Sequence, residues 1–295
     1  MGFFFTDQFI EYLQYQRKFS PNTLLAYKSD LLEFINFSIE RFEIQKSEAI
    51  KNDMVRSWVS ELIGNGLEPV SVRRKVSTLR SYFKYLQKEN ILKKSPLTNI
   101  PQLKLSKKLP IVLSNESIDS IFDNLSLDAS YLESLNHIII CILYGTGIRR
   151  AELIGLKASN VDLEQRQIKV LGKRSKERIV PITFELAEQI SAFIEIKRKT
   201  GIVSENLVVT IKNEILYPGY IYNVVKKTLT LHKVNGKRSP HILRHTYATR
   251  LLQNGAELLS VKELLGHSSL ASTQVYTHVN IEDLKRIYKK NHPKQ

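Results

Sequence analysis

The stretch "KKSPLTNIPQLKLSKKLP", residues 93–110, carries three prolines and five lysines and shows no sustained apolar period. Proline lacks an amide donor and biases the residue before it away from the helical region, so neither a helix nor a central strand runs through such a segment. A chain of 295 residues interrupted in this way folds as separate bodies, each long enough to bury a core. The division read from the sequence is a helical domain over 1–92, an extended basic linker over 93–110, and a second, mixed domain over 111–295.

In the first domain the apolar spacing is helical from residue 5 to 90. Ser20 or Asn22 can cap a helix that carries Leu24, Leu25, Tyr27, Leu31, Leu32 and Phe34, with Pro21 acceptable in its first turn. A second helix runs from about Asp53 to Ile63 and stops at "GNG". A third, "EPVSVRRKVSTLRSYFKYLQKEN", buries Val72, Val76, Leu79, Phe83 and Leu86 and leaves Arg73, Arg74, Lys75, Arg80 and Lys84 on its other faces.

The second domain mixes elements. Ser114 or Asn115 opens a helix through Leu125, and another covers Leu132 to Tyr144 before "GTG" breaks it. "RQIKVLGKRSKERIVPIT" alternates apolar and polar residues on both sides of a polar turn, the pattern of a β-hairpin. Helices follow at about 184–198, 219–231, 240–253 and 257–265. The fold class is therefore mainly α, with a small antiparallel sheet in the second domain. In the tail, "NIEDLKRIYKKNHPKQ", Ile281, Leu284 and Tyr288 form a narrow stripe on a short helix that needs a surface to pack on.

Charge bears on the partner. The net charge is +15, divided as +7 over residues 1–110 and +8 over 111–295, so a polyanion can be held by both domains. Many basic proteins bind no nucleic acid, and the linker lysines Lys104, Lys107 and Lys108 suit plain solvation as well as a phosphate backbone. Cys141 stands alone inside "HIIICILYG", where a small buried hydrophobe is the expected role; with no disulfide available, a reducing cytoplasm fits. No apolar run is long enough for a signal peptide or a membrane span, so no membrane partner is expected.

The chemistry-bearing residues gather late in the chain. His241 and Arg244 are three apart on a predicted helix and share one face. In "LLGH", Gly266 ends a helix and leaves His267 just beyond its terminus, and Tyr276 follows a short Ser/Thr-rich segment. In "YGTGIRRAEL", Arg149 follows a glycine turn and Glu152, three residues on, is placed to orient it; Lys173 follows Gly172 at the hairpin turn. Taken singly, each has a structural counterpart: a helix cap, a turn decoration, one tyrosine among 13, a solvated turn charge. The His241/His245 spacing matches zinc helices, but the intervening Ile, Leu and Arg offer no glutamate base, and no metal is expected.

Taken together, "TGIRRAEL", "GKRSKERIVPI", "PHILRHTYAT" and "LLGHSSLASTQVYTH" resemble the tyrosine site-specific recombinases, in the same order and at similar spacings. The upstream stretches "FSPNTLLAYKSDLLEFINF" and "SVRRKVSTLRSYFKYL" are similar to that family's helical, SAM-like core-binding domain, and the compact length and the ending look most like the Xer group. The resemblance implies a catalytic set of Arg149, Lys173, His241, Arg244, His267 and the nucleophile Tyr276, with Glu152 in support. The basic third helix and the linker add expected DNA contacts at Arg73, Arg74, Lys75, Arg80, Lys84, Lys104, Lys107 and Lys108. The expected activity is cutting and rejoining duplex DNA through a 3′-phosphotyrosyl intermediate, with no cofactor. The expected partners are a duplex recombination site, further protomers in a tetramer, with or without a second Xer recombinase, and a division-linked DNA translocase. The tail would then dock on a neighbouring protomer, or else on its own domain. Chromosome dimer resolution and mobile-element integration share this chemistry. A type IB topoisomerase-like enzyme and a non-catalytic accessory protein are the other readings.

Overall fold

The computed structural model describes residues 4–97, 113–114, 116–118, 121, 130–172, 176–234, 236 and 238–266. The chain divides into two compact units, Met1–Lys108 and Leu109–Gln295. The tail stripe of Ile281, Leu284 and Tyr288 lies outside the described residues, as do Lys104, Lys107 and Lys108.

The first unit is helical: α1 (Thr6–Glu11) continuing into a π turn (Tyr12–Gln16), α2 (Pro21–Phe42), α3 (Asn52–Gly64) and α4 (Pro69–Lys88). Ser20 caps α2, its hydroxyl accepting from the Thr23 amide at 3.4 Å, with Pro21 in the first turn. Phe34, Trp58, Leu79, Tyr82 and Phe83 are buried at the centre of the core these helices share. Leu25, expected with the apolar residues of α2, is 73% exposed. The beginning of the expected linker belongs to this core: Leu97 is buried in it, and the Pro96 carbonyl accepts from Asn52 Nδ2 at 2.7 Å.

Lys75 requires a correction. It was expected on a wet face of α4, but it is buried, and its ammonium pairs with Asp30 Oδ1 at 3.3 Å and Glu33 Oε2 at 2.5 Å. Asp30, itself buried, also accepts from Arg74 and, at 2.9 Å, from the Thr78 hydroxyl. An apolar spacing count cannot see this, because the pairing residue stands on another helix. Asp30→Ala strips a buried ammonium of one carboxylate and leaves it Glu33. The expected cost is about 3 kcal/mol, the low end for breaking a buried pair, read as a lower unfolding midpoint in denaturant. Unchanged stability would show the pair to be dispensable.

The second unit is built on α5 (Tyr131–Thr146), which is mostly apolar and buried at all but Leu132, Glu133 and Asn136. A helix with so little surface for water sits at the centre of a layer. Around it stand α6 (Arg150–Ile154), α7 (Phe184–Lys199), α8 (Pro218–Leu231), α9 (Pro240–Gln253) and α10 (Leu258–Leu265). Glu116–Ile118 and Ile121 are helical, in agreement with the expected helix after Ser114, whose remainder lies outside the described residues. The sheet has three antiparallel strands, β1 (Val161–Asp162), β2 (Gln167–Leu171) and β3 (Glu177–Pro181), in that order. β2 and β3 form the expected hairpin, with Val170 opposite Arg178; β1, two residues long, was too short to carry an alternating signal.

Gly147 decides how this unit closes. It ends α5 at φ 61°, and a β-carbon there would stand 2.5 Å from the Tyr247 ring and 2.9 Å from Leu265 Cδ2. Only glycine allows both the left-handed turn and this approach of α9 and α10.

Candidate active site

The glycine turn delivers the first cation. Past Gly147 the chain becomes extended at Arg149, which is the N-cap of α6. Glu152, in the first turn of α6, accepts from the Arg149 amide at 2.7 Å and from its Nη1 at 2.9 Å. The spacing of three residues thus works as expected: one carboxylate caps the helix and fixes the guanidinium.

Arg244 comes from α9. It is buried, and its guanidinium donates to the carbonyls of Gly147 at 2.7 Å and Leu265 at 2.6 Å. Burial, with the neighbouring Arg149 and Arg178 charges, pulls its pKa down to about 10 against the opposing pull of Glu152. It remains a cation at neutral pH. His241, a turn earlier on α9, is exposed.

These groups meet in one pocket of about 300 Å³, lined among others by Arg149, Arg150, Tyr222, Ser239, His241 and Arg244. Glu152 stands behind Arg149, buried. Lys173, His267 and Tyr276 lie outside the described residues. The residues preceding two of them are at the cluster: a β-carbon on Gly172 would be 3.8 Å from Glu152 Oε1, and the Gly266 carbonyl accepts from Arg149 Nη2 at 2.6 Å. In the first unit Arg73, Arg74, Arg80 and Lys84 are exposed and Lys75 is not.

Sequence reasoning missed Arg178. On β3 it lies two residues before the buried Val180, hence on the strand's inward face, and its guanidinium forks onto both Glu152 oxygens at 2.8 Å each. A charge at an inward register position demands a buried partner, and that was the available signal. Burial alone would raise the Glu152 pKa, but the bonds from Arg178 and Arg149 prevail and hold it below the usual carboxylate range. Tyr222 and Arg150 in the pocket wall carried no distinguishing signal in the sequence.

A concave site with two or more fixed guanidiniums and an imidazole is suited to a phosphate diester. Comparison with known proteins decides the class. Residues 111–283 match the phage integrase family, and residues 6–90 match its N-terminal SAM-like domain.

The chain belongs to the phage integrase family.

Its relatives include the tyrosine recombinase XerC of Chlorobaculum parvum, 35% identical over 315 residues that cover 97% of this chain and 94% of that protein. XerC of Thermodesulfovibrio yellowstonii is 36% identical over 296 residues, covering 98% and 96%. Among solved structures, XerH site-specific recombinase in a post-cleavage complex with palindromic difH substrate superposes with a TM-score of 0.72 at 25% identity, covering 96% of this chain and 83% of that one. A lambda integrase dimer bound to a COC′ core site, at 18% identity and TM-score 0.67, shares the fold, with 94% of this chain and 97% of that one covered. The recombinase is accordingly site-specific and XerC-like, and it catalyses DNA breakage and rejoining. Its mainly helical architecture, with a SAM-like first domain and a small antiparallel sheet in the catalytic domain, is the one expected from the sequence. No described helix is long and apolar enough to cross a membrane.

Proposed function

We propose that the recombinase resolves chromosome dimers in the cytoplasm, cutting each strand with Tyr276. In this reading Arg149 and Arg244 fork onto the non-bridging oxygens of the scissile phosphate and stabilise the charge of the pentavalent transition state. His241 takes the phenolic proton of Tyr276, His267 donates a further hydrogen bond to the phosphate, and Lys173 gives a proton to the departing 5′ oxygen. The phosphorus–oxygen bond to the 5′ carbon side breaks as the bond to Tyr276 forms. The free 5′ hydroxyl of the partner duplex then attacks the 3′-phosphotyrosyl ester and releases the phenol. One ester replaces another, so no nucleotide cofactor is consumed.

Both domains contact the duplex, the first through Arg73, Arg74, Arg80 and Lys84 and the linker through Lys104, Lys107 and Lys108. Four protomers assemble on paired sites, together with a second Xer recombinase or as identical copies, under a division-linked translocase. The tail from Ile281 onward docks on the neighbouring protomer. Support comes from one observation above all: Arg149, Arg244 and His241, drawn from two separate elements, line a common pocket. The Xer relatives, aligned over nearly the whole chain, favour the chromosomal role.

The test is to trap the covalent protein–DNA adduct in cells and map the attached DNA. Adducts concentrated at one chromosomal site near the replication terminus are expected. Adducts scattered at the ends of mobile elements would overturn the chromosomal role and make the enzyme an integrase.

A further inference from the structure

Three arginines converge on the end of α10. Arg178 Nε donates to the Leu264 carbonyl at 2.7 Å, Arg244 Nη2 to Leu265 at 2.6 Å, and Arg149 Nη2 to Gly266 at 2.6 Å. The last carbonyls of a helix have no partner within it and carry the negative end of its dipole, so cations settle there. Here three successive carbonyls are each held by a different side chain, two of them the proposed phosphate ligands.

Arg178 differs from the other two. Its side chain is 13% exposed, and the pocket that Arg149 and Arg244 line does not include it. Each of its three nitrogens donates to Glu152 or to Leu264. The bidentate fork fixes the plane of the Glu152 carboxylate as no single bond could, and that carboxylate holds both the amide and Nη1 of Arg149. Gly266 packs directly on it, since a β-carbon there would lie 3.2 Å from Arg178 Nη1.

We infer that Arg178 is a positioning residue for DNA cleavage: by forking Glu152 and anchoring the Leu264 carbonyl it sets Arg149 and the helix end that leads into His267. It touches no DNA and acts through its neighbours. The inference rests on Arg149 being a phosphate ligand, as proposed above.

A merely structural ion pair would affect stability and nothing else, so the discriminating readout is the pH profile of cleavage. Among the described residues the charges facing Glu152 are Arg149 at the start of its own helix, Arg178 from β3 and Arg244 from α9. Without Arg178, desolvation of the carboxyl is opposed by fewer donors and its pKa rises. Glu152 must be ionised to hold Arg149, so activity is present above that pKa and lost as the pH falls through it. Raising it moves the acid limb of the profile to higher pH.

Single-turnover cleavage of a nicked duplex by the full chain is measured across pH for the parent, Arg178→Met, Arg178→Lys and Arg149→Ala, at a temperature where each is folded. Arg178→Met is expected to cleave on the order of 10²-fold more slowly, the scale for a small misplacement of a catalytic group, with its acid limb displaced upward and its DNA affinity kept. Arg178→Lys, which cannot fork, is expected to fall between it and the parent in both respects. Should the methionine variant fail to fold, the lysine variant decides alone. Parent-like rates and acid limbs in the folded variants would overturn the inference. If Arg149→Ala also cleaves normally, the assignment of Arg149 fails instead.

Discussion

Tyr276→Phe is expected to abolish the covalent protein–DNA adduct. The substitution removes one hydroxyl and leaves the ring, so duplex affinity should stay close to the parent's while no phosphotyrosyl bond can form. A free tyrosine phenol, whose pKa is about 10, is a weak nucleophile near neutrality. Three guanidiniums against a single carboxylate give the site a positive field, which would favour the ionisation of a phenol brought into it. The measurement is a denaturing gel of protein incubated with a nicked duplex, in which the adduct runs as a shifted band. A band that persists in the phenylalanine variant would move the nucleophile to another residue.

Arg244→Ala should slow single-turnover cleavage by on the order of 10² to 10³, the loss expected when one preorganised donor to a transition-state oxyanion is removed. Its geometry suggests a second, smaller effect. The Gly147 and Leu265 carbonyls lose their donor in a buried setting, for about 1–3 kcal/mol of stability. The two can be separated by assaying well below the variant's melting temperature. Arg244→Lys should rescue little, because a single ammonium cannot reach two carbonyls and a phosphate with the spread of a guanidinium. Cleavage near the parent's rate in the folded alanine variant would leave Arg244 as an internal brace only.

What the sequence disclosed follows from the range of its signals. Helices such as α2, α4, α5 and α9 were legible because apolar period, capping residues and stopping glycines all act within a few positions. The Arg149–Glu152 pair and the shared face of His241 and Arg244 were legible for the same reason. Lys75 with Asp30, 45 positions apart, and Arg178 with Glu152, 26 apart, were not. In each case a charge looks solvated until folding brings its counter-charge from another element. β1 was missed for the opposite reason, since two residues are too few to show a period.

The capping of α10 also bears on how the protein is made. Arg149, Glu152, Arg178 and Arg244 all precede Leu264, Leu265 and Gly266 in the chain, and synthesis runs from the amino end. Without those carbonyls three cations have one anion between them, and their mutual repulsion opposes the assembly of the pocket. The carbonyls that quiet this repulsion arrive with the helix immediately upstream of the proposed nucleophile segment. The pocket is therefore set late: a chain that has not folded as far as Gly266 lacks the three carbonyls on which its arginines settle.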